Sequence, residues 1–263
     1  MSLFGCLLFL PNIFCLGFGS AIAFADFCFV YPYLYKNTNF YVCITVNLII
    51  SVTFYAMWVW AWLTVALGDP GSVEKDLKRR GLYEELREGI IPERFRNLPI
   101  CHECCLPIPI NAKHCDTCHT CHLRYDHHCP VFGKCIADKN FKPFFLSFMY
   151  GGLFCLSLVP PTFIMFRMGK DDFFVFVIAL TLLIYGLVLG LMLIGFGFGF
   201  FQQNAETISV SGRISKKEMK KNRKKLFKTF GKKWYEIIIP IQRETTDYAW
   251  QGINMEDEYE TFV

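Results

Sequence analysis

The stretch Tyr125–Cys135, YDHHCPVFGKC, puts Asp126, the adjacent pair His127 and His128, and the cysteines Cys129 and Cys135 within eleven residues. Cysteine and histidine can hold a metal or act as nucleophile and base, so the ligands of the whole neighbourhood must be counted. Upstream, Cys101-x2-Cys104, Cys115-x2-Cys118 and Cys118-x2-Cys121 share the spacing with which two sulfurs of one turn grip one ion, and His114 precedes Cys115. All six histidines lie between positions 102 and 128, and eight of the thirteen cysteines between 101 and 135. This density predicts zinc.

Two closed tetrahedral sites take eight ligands, and the segment offers more. Cys105 follows Cys104 directly and reads as a spectator; His102, His119 and His122 read as surface groups. If His128 binds metal, its neighbours are steered away from that ion. Residues two apart in an extended segment share a face, so His127 and Cys129 could meet, with Asp126 holding the other imidazole nitrogen. Thiolate, base and orienting carboxylate make an activated nucleophile. The other reading makes Cys129 one more structural sulfur and His127 a solvated side chain. From the residues alone, both readings stay open.

The elements that must position this segment are apolar. The 263-residue chain is 53% hydrophobic and 17% aromatic with 19% charged residues, a balance that excludes an ordinary soluble class. Four runs are long enough to cross a bilayer: roughly Cys6–Tyr31, Phe40–Leu67, Phe144–Phe166 and Phe173–Phe201. The expected fold is an all-α membrane protein. Four transmembrane helices flank a cytosolic zinc-binding, cysteine-rich domain between the second and third. The expected domains are 1–67, 68–143, 144–201 and 202–263. Of 27 Lys and Arg, 24 fall in segments 68–143 and 202–263, which places those segments and both termini in the cytosol. A reducing cytosol favours metal over disulfides.

Finer signals follow the same frame. Ala23-Phe24-Ala25 resembles a signal cleavage site, but the run lacks a basic start and is long for a signal core, so a retained helix is expected. Pro160-Pro161 predicts a kink or break in the third span, and Gly186-x3-Gly190 predicts close packing within the bundle. The basic run Lys216–Lys233, with Leu226, Phe227, Phe230 and Trp234 interleaved, reads as an amphipathic segment lying on the lipid bilayer rather than a nucleic-acid site.

The segment resembles the Asp-His-His-Cys family of protein S-acyltransferases, the palmitoyltransferases. The resemblance rests on Cys101-x2-Cys104, His114-Cys115-x2-Cys118-x2-Cys121-x4-Asp126-His127-His128-Cys129-Pro130-x4-Cys135, Asn140 and Phe144. It extends to Asp69-Pro70-Gly71 after the second span and, more loosely, to Asn222, Gly231 and Pro240. It implies two structural zinc ions, one held by Cys101, Cys104, His114 and Cys121, the other by Cys115, Cys118, His128 and Cys135. It also implies Cys129 as nucleophile, His127 as base and Asp126 as its orienting carboxylate. Palmitoyl-CoA or another long-chain acyl-CoA would be co-substrate, its tail between the helices. The acceptors would be membrane-associated proteins of the endomembranes (ER or Golgi) or plasma membrane. The chain departs from the family pattern at Val131, Phe132, Gly133 and Lys134, at Ala137, and at Glu206-Thr207-Ile208-Ser209. An inactive family member and a membrane zinc-binding adaptor of ubiquitin-ligase type are the alternative readings.

Overall fold

The computed structural model describes residues 3–109, 111–207, 230–231, 233–242 and 250, with side chains from residue 10 onward and, in the last long helix, to residue 204. The fold is mostly helical. Helix α1 (Leu3–Ala25) runs through a π-helical turn (Asp26–Val30) into α2 (Tyr31–Asn37), and α3 spans Tyr41–Leu67. The short helices α4 (Val73–Arg79) and α5 (Tyr83–Arg87) lead to four three-residue strands. These are β1 (Lys113–Cys115), β2 (Thr120–His122), β3 (His127–Cys129) and β4 (Lys134–Ile136). Helices α6 (Phe141–Ser157), α7 (Val159–Met168), α8 (Phe173–Thr207) and α9 (Trp234–Ile238) follow. The expectation of an all-α fold is thus modified by two β-hairpins, where metal-ligand spacing rather than helical periodicity shapes the chain.

Four helical segments, Leu10–Asn37, Tyr41–Leu67, Phe141–Met168 and Phe173–Asn204, are long and apolar enough to cross a membrane, which makes this a multi-pass membrane protein. The third is interrupted at Leu158, where α6 gives way to α7 with proline in its first turn. A proline ring fixes φ and lacks an N–H, so it fits the start of a helix and breaks its interior. The basic run at 216–229 and the side chains at 206–209 lie outside the described residues.

The chain divides into two compact units. One comprises Ile13–Leu63 and Lys142–Ile241. Within it α6 and α8 approach closely: a Cβ at Gly190 would stand 2.8 Å from Leu156 Cγ and 3.1 Å from the Gly152 carbonyl oxygen. At Gly186 it would stand 3.0 Å from the Cys155 carbonyl. The Gly186-x3-Gly190 pair therefore serves packing inside this bundle. Buried hydroxyls and an amide tie its helices, with Tyr31 donating to Asn47 Oδ1 at 2.7 Å, Ser157 donating to Ser51 Oγ at 2.9 Å and Asn47 Nδ2 donating to the Ser157 carbonyl at 3.1 Å. Helix α9 is held against α6 where Lys142 and Tyr150 each donate at 2.6 Å to the carbonyls of Glu236 and Ile238.

The other unit comprises Met1–Asn12, Thr64–Phe141 and Gln242–Val263. Its core gathers Val73 and Leu77 of α4, Leu82, Leu86, Phe95, Leu106, Leu123 and Trp250 around Cys101 and Cys121. Ser72 caps α4, its hydroxyl accepting from the Lys75 N–H. Both hairpins lie in this unit, pairing β1 with β2 and β3 with β4.

Candidate metal centres and a cysteine–histidine site

Each hairpin brings one histidine and one cysteine directly opposite each other. His114 pairs with Cys121 across β1–β2, and His128 pairs with Cys135 across β3–β4. A C-x2-C turn completes each group. The atoms of Cys101, Cys104, His114 and Cys121 lie within 4.8 Å of one another, as do those of Cys115, Cys118, His128 and Cys135. The second quartet is the first shifted by 14 residues at every position. Adjacent residues of a strand face opposite ways, so His114 serves one group while Cys115 serves the next.

The donor set fits zinc. His114 Nδ1 lies 3.7, 3.3 and 3.7 Å from the sulfurs of Cys101, Cys104 and Cys121. His128 Nδ1 lies 3.6, 3.3 and 3.7 Å from those of Cys115, Cys118 and Cys135. Zn–S bonds of about 2.3 Å and Zn–N bonds of about 2.0 Å at tetrahedral angles put nitrogen and sulfur about 3.5 Å apart. Three sulfurs and one nitrogen so crowded make a poor hydrogen-bond cluster and a good cage for a cation. Either group could hold a metal ion.

On the same strand, His127 and Cys129 flank His128 and so share the face turned away from that cage. Asp126 Oδ2 and His127 Nδ1 are 2.6 Å apart. The hydrogen bond that His127 donates to Asp126 first, and the one with Cys129 second, push the His127 pKa up to about 9. Burial pushes the Cys129 thiol up, but the hydrogen bond with His127 and the backbone N–H groups of Phe132 and Val131 outweigh it, leaving the thiol below its ordinary value. Cys129 is 7% exposed and belongs to neither quartet, whereas the His127 side chain is 41% exposed. A carboxylate, an imidazolium and a depressed thiol in sequence can generate and hold a thiolate.

The central segment matches the model of the DHHC palmitoyltransferase family over residues 94–222. Over that segment, just under half of its length, the chain is similar to the DHHC palmitoyltransferase family. Among curated relatives, palmitoyltransferase ZDHHC2 of Danio rerio is 30% identical over 132 residues, covering 43% of this chain and 37% of that protein. Palmitoyltransferase pfa3 of Aspergillus fumigatus is 31% identical over 161 residues, covering 56% of this chain and 29% of that protein. Palmitoyltransferase ZDHHC2 of Homo sapiens is 32% identical over 124 residues, covering 40% and 34%. The chain therefore spans less than two fifths of the length of these relatives.

Several residues of the matched segment hold its hairpins in place. The buried Asn140 accepts the Ala137 N–H and donates to the Cys135 carbonyl, both at 2.8 Å, fixing the exit from the second quartet. Arg124 and Asp138 form an ion pair at 2.8 Å that bridges the two flanks of the second hairpin. Of the spectators, Cys105, His102 and His119 are exposed. His122 is not: it is 4% exposed, because the backbone of Ser72 bridges to it and α4 covers the outer face of β2. Trp250 is fully buried and donates to Asp76 Oδ2 at 2.9 Å. No spacing signal marks either residue, since both depend on which distant segment covers them.

Proposed function

We propose that this protein is a protein S-acyltransferase that moves a long-chain acyl group from acyl-CoA to Cys129 and then to cysteine thiols of membrane-associated proteins. Cys129 is the nucleophile, His127 the base and Asp126 the carboxylate that orients it. The single observation carrying this reading is that Cys129 shares a strand face with His127 and stands outside both ligand quartets. Cys101, Cys104, His114 and Cys121 would hold one zinc ion, and Cys115, Cys118, His128 and Cys135 the other. Zinc when bound supplies cross-links that hold the two hairpins.

The chemistry balances on Cys129 and His127. The Cys129 thiolate attacks the thioester carbonyl, a new carbon–sulfur bond forms, the bond to CoA sulfur breaks, and the His127 imidazolium returns a proton to the leaving thiolate. An acceptor thiol then gives its proton to His127 and its sulfur takes the acyl group, regenerating the Cys129 thiolate and imidazolium pair. This is two-step, ping-pong transfer. Burial of the acyl chain out of water at ~0.8 kcal/mol per methylene favours long donors. The excess of Lys and Arg in segments 68–143 and 202–263 supports a cytosolic site on an endomembrane or plasma membrane.

The test is metabolic labelling with an alkyne fatty acid, followed by hydroxylamine cleavage. Wild type should carry a thioester-linked label, and Cys129→Ala should lose it while keeping two zinc ions per chain. Undiminished label on Cys129→Ala would remove the proposed nucleophile.

A further inference from the structure

Within the helical unit, a short link joins α2 to α3 at 38–40 and another joins α7 to α8 at 169–172. They sit at the ends of the second and third spans opposite Leu67 and Phe141. There α2 packs against α7 over a core of Val30, Tyr31, Leu34, Ile44 and Met165. Beside that core a cavity of about 440 Å³ lies between residues 37–40 and the last turns of α7. Ile164 belongs to both, packing on the core and lining the cavity.

The lining is sorted by polarity. Phe40, Phe163, Ile164 and Met168 make an apolar wall, and all but Ile164 are exposed. The polar part holds Arg167 and the run 37–39. Asn37 is committed elsewhere, its Nδ2 donating to the Tyr33 carbonyl at 2.7 Å. Thr38 Oγ1 accepts the Phe40 N–H at 3.4 Å, which leaves its own hydroxyl proton to offer. Among the described residues, the side chains of Asn39 and Arg167 make no hydrogen bond or ion pair. Asp172 of the neighbouring link is instead spent on capping α8, its Oδ1 accepting from the N–H groups of Phe174 and Val175 at 3.0 and 3.2 Å. The surroundings carry the marks of a membrane–water boundary. Tyr35 and Tyr41 stack across the α2–α3 link with ring centroids 6.3 Å apart. Tyrosine rings gather at headgroup depth, and an arginine in the last turn of a span extends its stem to the same level. A cation without a counter-ion thus stands at the level of lipid phosphates, beside an uncovered apolar wall.

We propose that this cavity holds one phospholipid of the surrounding bilayer, its phosphate on Arg167 and Asn39 and the upper part of an acyl chain along Phe40, Phe163, Ile164 and Met168. A guanidinium fork matches two phosphate oxygens, and the Asn39 amide and Thr38 hydroxyl supply further donors. The apolar wall selects a lipid over free phosphate, since a soluble anion would leave Phe163 and Met168 in water. The lipid braces α7, the short helix after the break at Leu158, against the link that follows α2. No bond is made or broken, and occupancy does not depend on the acyl transfer proposed above.

The experiment strips the full chain of co-purifying lipid in dodecyl maltoside and titrates it with dioleoyl phosphatidylglycerol, dioleoylglycerol or inorganic phosphate. Native mass spectrometry and the thermal midpoint give the readouts. Wild type should take up one phosphatidylglycerol per chain, with a rise in midpoint. Dioleoylglycerol, which lacks phosphate, and inorganic phosphate, which lacks chains, should each bind at least about tenfold more weakly. Arg167→Gln should weaken phosphatidylglycerol binding about tenfold and Asn39→Ala about threefold. Both positions are exposed, so the lipid-free midpoint should stay unchanged. Lys170→Gln removes an exposed cation that does not line the cavity and should bind as wild type does. Equal binding of dioleoylglycerol or of inorganic phosphate overturns the site, as does unaltered affinity in Arg167→Gln. An equal loss in Lys170→Gln also overturns it, reducing the effect to diffuse surface charge. Should Arg167→Gln lower the lipid-free midpoint, Asn39→Ala decides alone, and unaltered affinity there overturns the site.

Discussion

Cys129 occupies, in the second hairpin, the register position that Cys115 occupies in the first: each directly follows the strand's cluster histidine, and each lies opposite the residue one before the cluster's last cysteine. Cys115 points into the next quartet along the chain. Cys129 has no next quartet, because a further shift of 14 residues would need ligands at Phe132, Lys142 and Met149. A sulfur that the repeat would otherwise consume is thereby left over. Cys118→Ser should lose one zinc per chain and unfold the hairpin segment, since metal binding and folding are coupled. Cys129→Ser should retain both ions. Elemental analysis of the purified variants checks the pair, and two zinc ions with full activity in Cys118→Ser would refute the ligand assignment.

The pH dependence follows from the His127–Cys129 pair. His127 is raised from 6.5 to about 9, so its contribution to stability is fully present below 6.5 and is lost as pH rises through about 9. Cys129 is depressed below 9.0, so its contribution is present above 9.0 and is lost as pH falls through the folded-state value. The thiolate–imidazolium pair occupies the window between the depressed thiol value and about 9. Asp126→Asn removes the leading support of the imidazolium. The rate of Cys129 alkylation by iodoacetamide at about pH 7 should then fall about tenfold, with its midpoint moving toward that of an ordinary thiol. Superimposable profiles for wild type and variant would count against the role given to Asp126.

Trp250 fills the core of the cysteine-rich unit, edge-on to Phe95 at 5.7 Å between ring centroids. Its partner Asp76 is fully buried and also accepts from Arg79 at 2.8 Å and Arg80 at 2.9 Å. Trp250→Ala should cost about 3–5 kcal/mol through the cavity it leaves. Trp250→Phe should cost about 1–2 kcal/mol, chiefly the indole hydrogen bond. Zinc release followed during urea titration reports both, and an unaltered midpoint in Trp250→Ala would contradict the packing described.

Gly190→Leu forces a branched side chain into the approach between α6 and α8. Overpacking should cost about 1–3 kcal/mol, read as a lower thermal midpoint in detergent with the oligomeric state unchanged. A changed oligomeric state at constant thermal stability would instead make the glycine pair a seam between copies.

Much of this architecture was legible because short-range spacing carries it. The C-x2-C turns, the apolar runs and Pro160-Pro161 each act over a few residues, and the third span does break at Leu158. The rule that residues two apart share a face placed His127 beside Cys129 without knowledge of the hairpin. Burial of His122 and Trp250, by contrast, depends on segments 50 and 174 residues away, at Ser72 and Asp76, and no local pattern reports that. The cavity beside Arg167 likewise joins distant stretches, 37–40 and 163–168, which meet only because α7 packs on α2. Three-residue strands have too little alternation to announce themselves. The basic run at 216–229 falls outside the described residues.

The four-residue loop Pro130–Gly133 closes the second hairpin with Gly133 at φ +62, and so sets which strand position faces which. Were that loop to lose or gain one residue, β3 could slide by one step against β4, and a single step inverts both faces of a strand. Cys129 would then be turned toward the second quartet and His128 away from it. Insertions and deletions between Cys129 and Lys134 should therefore be far more damaging than any substitution of Val131 or Phe132, a frame constraint that deep mutational scanning would expose.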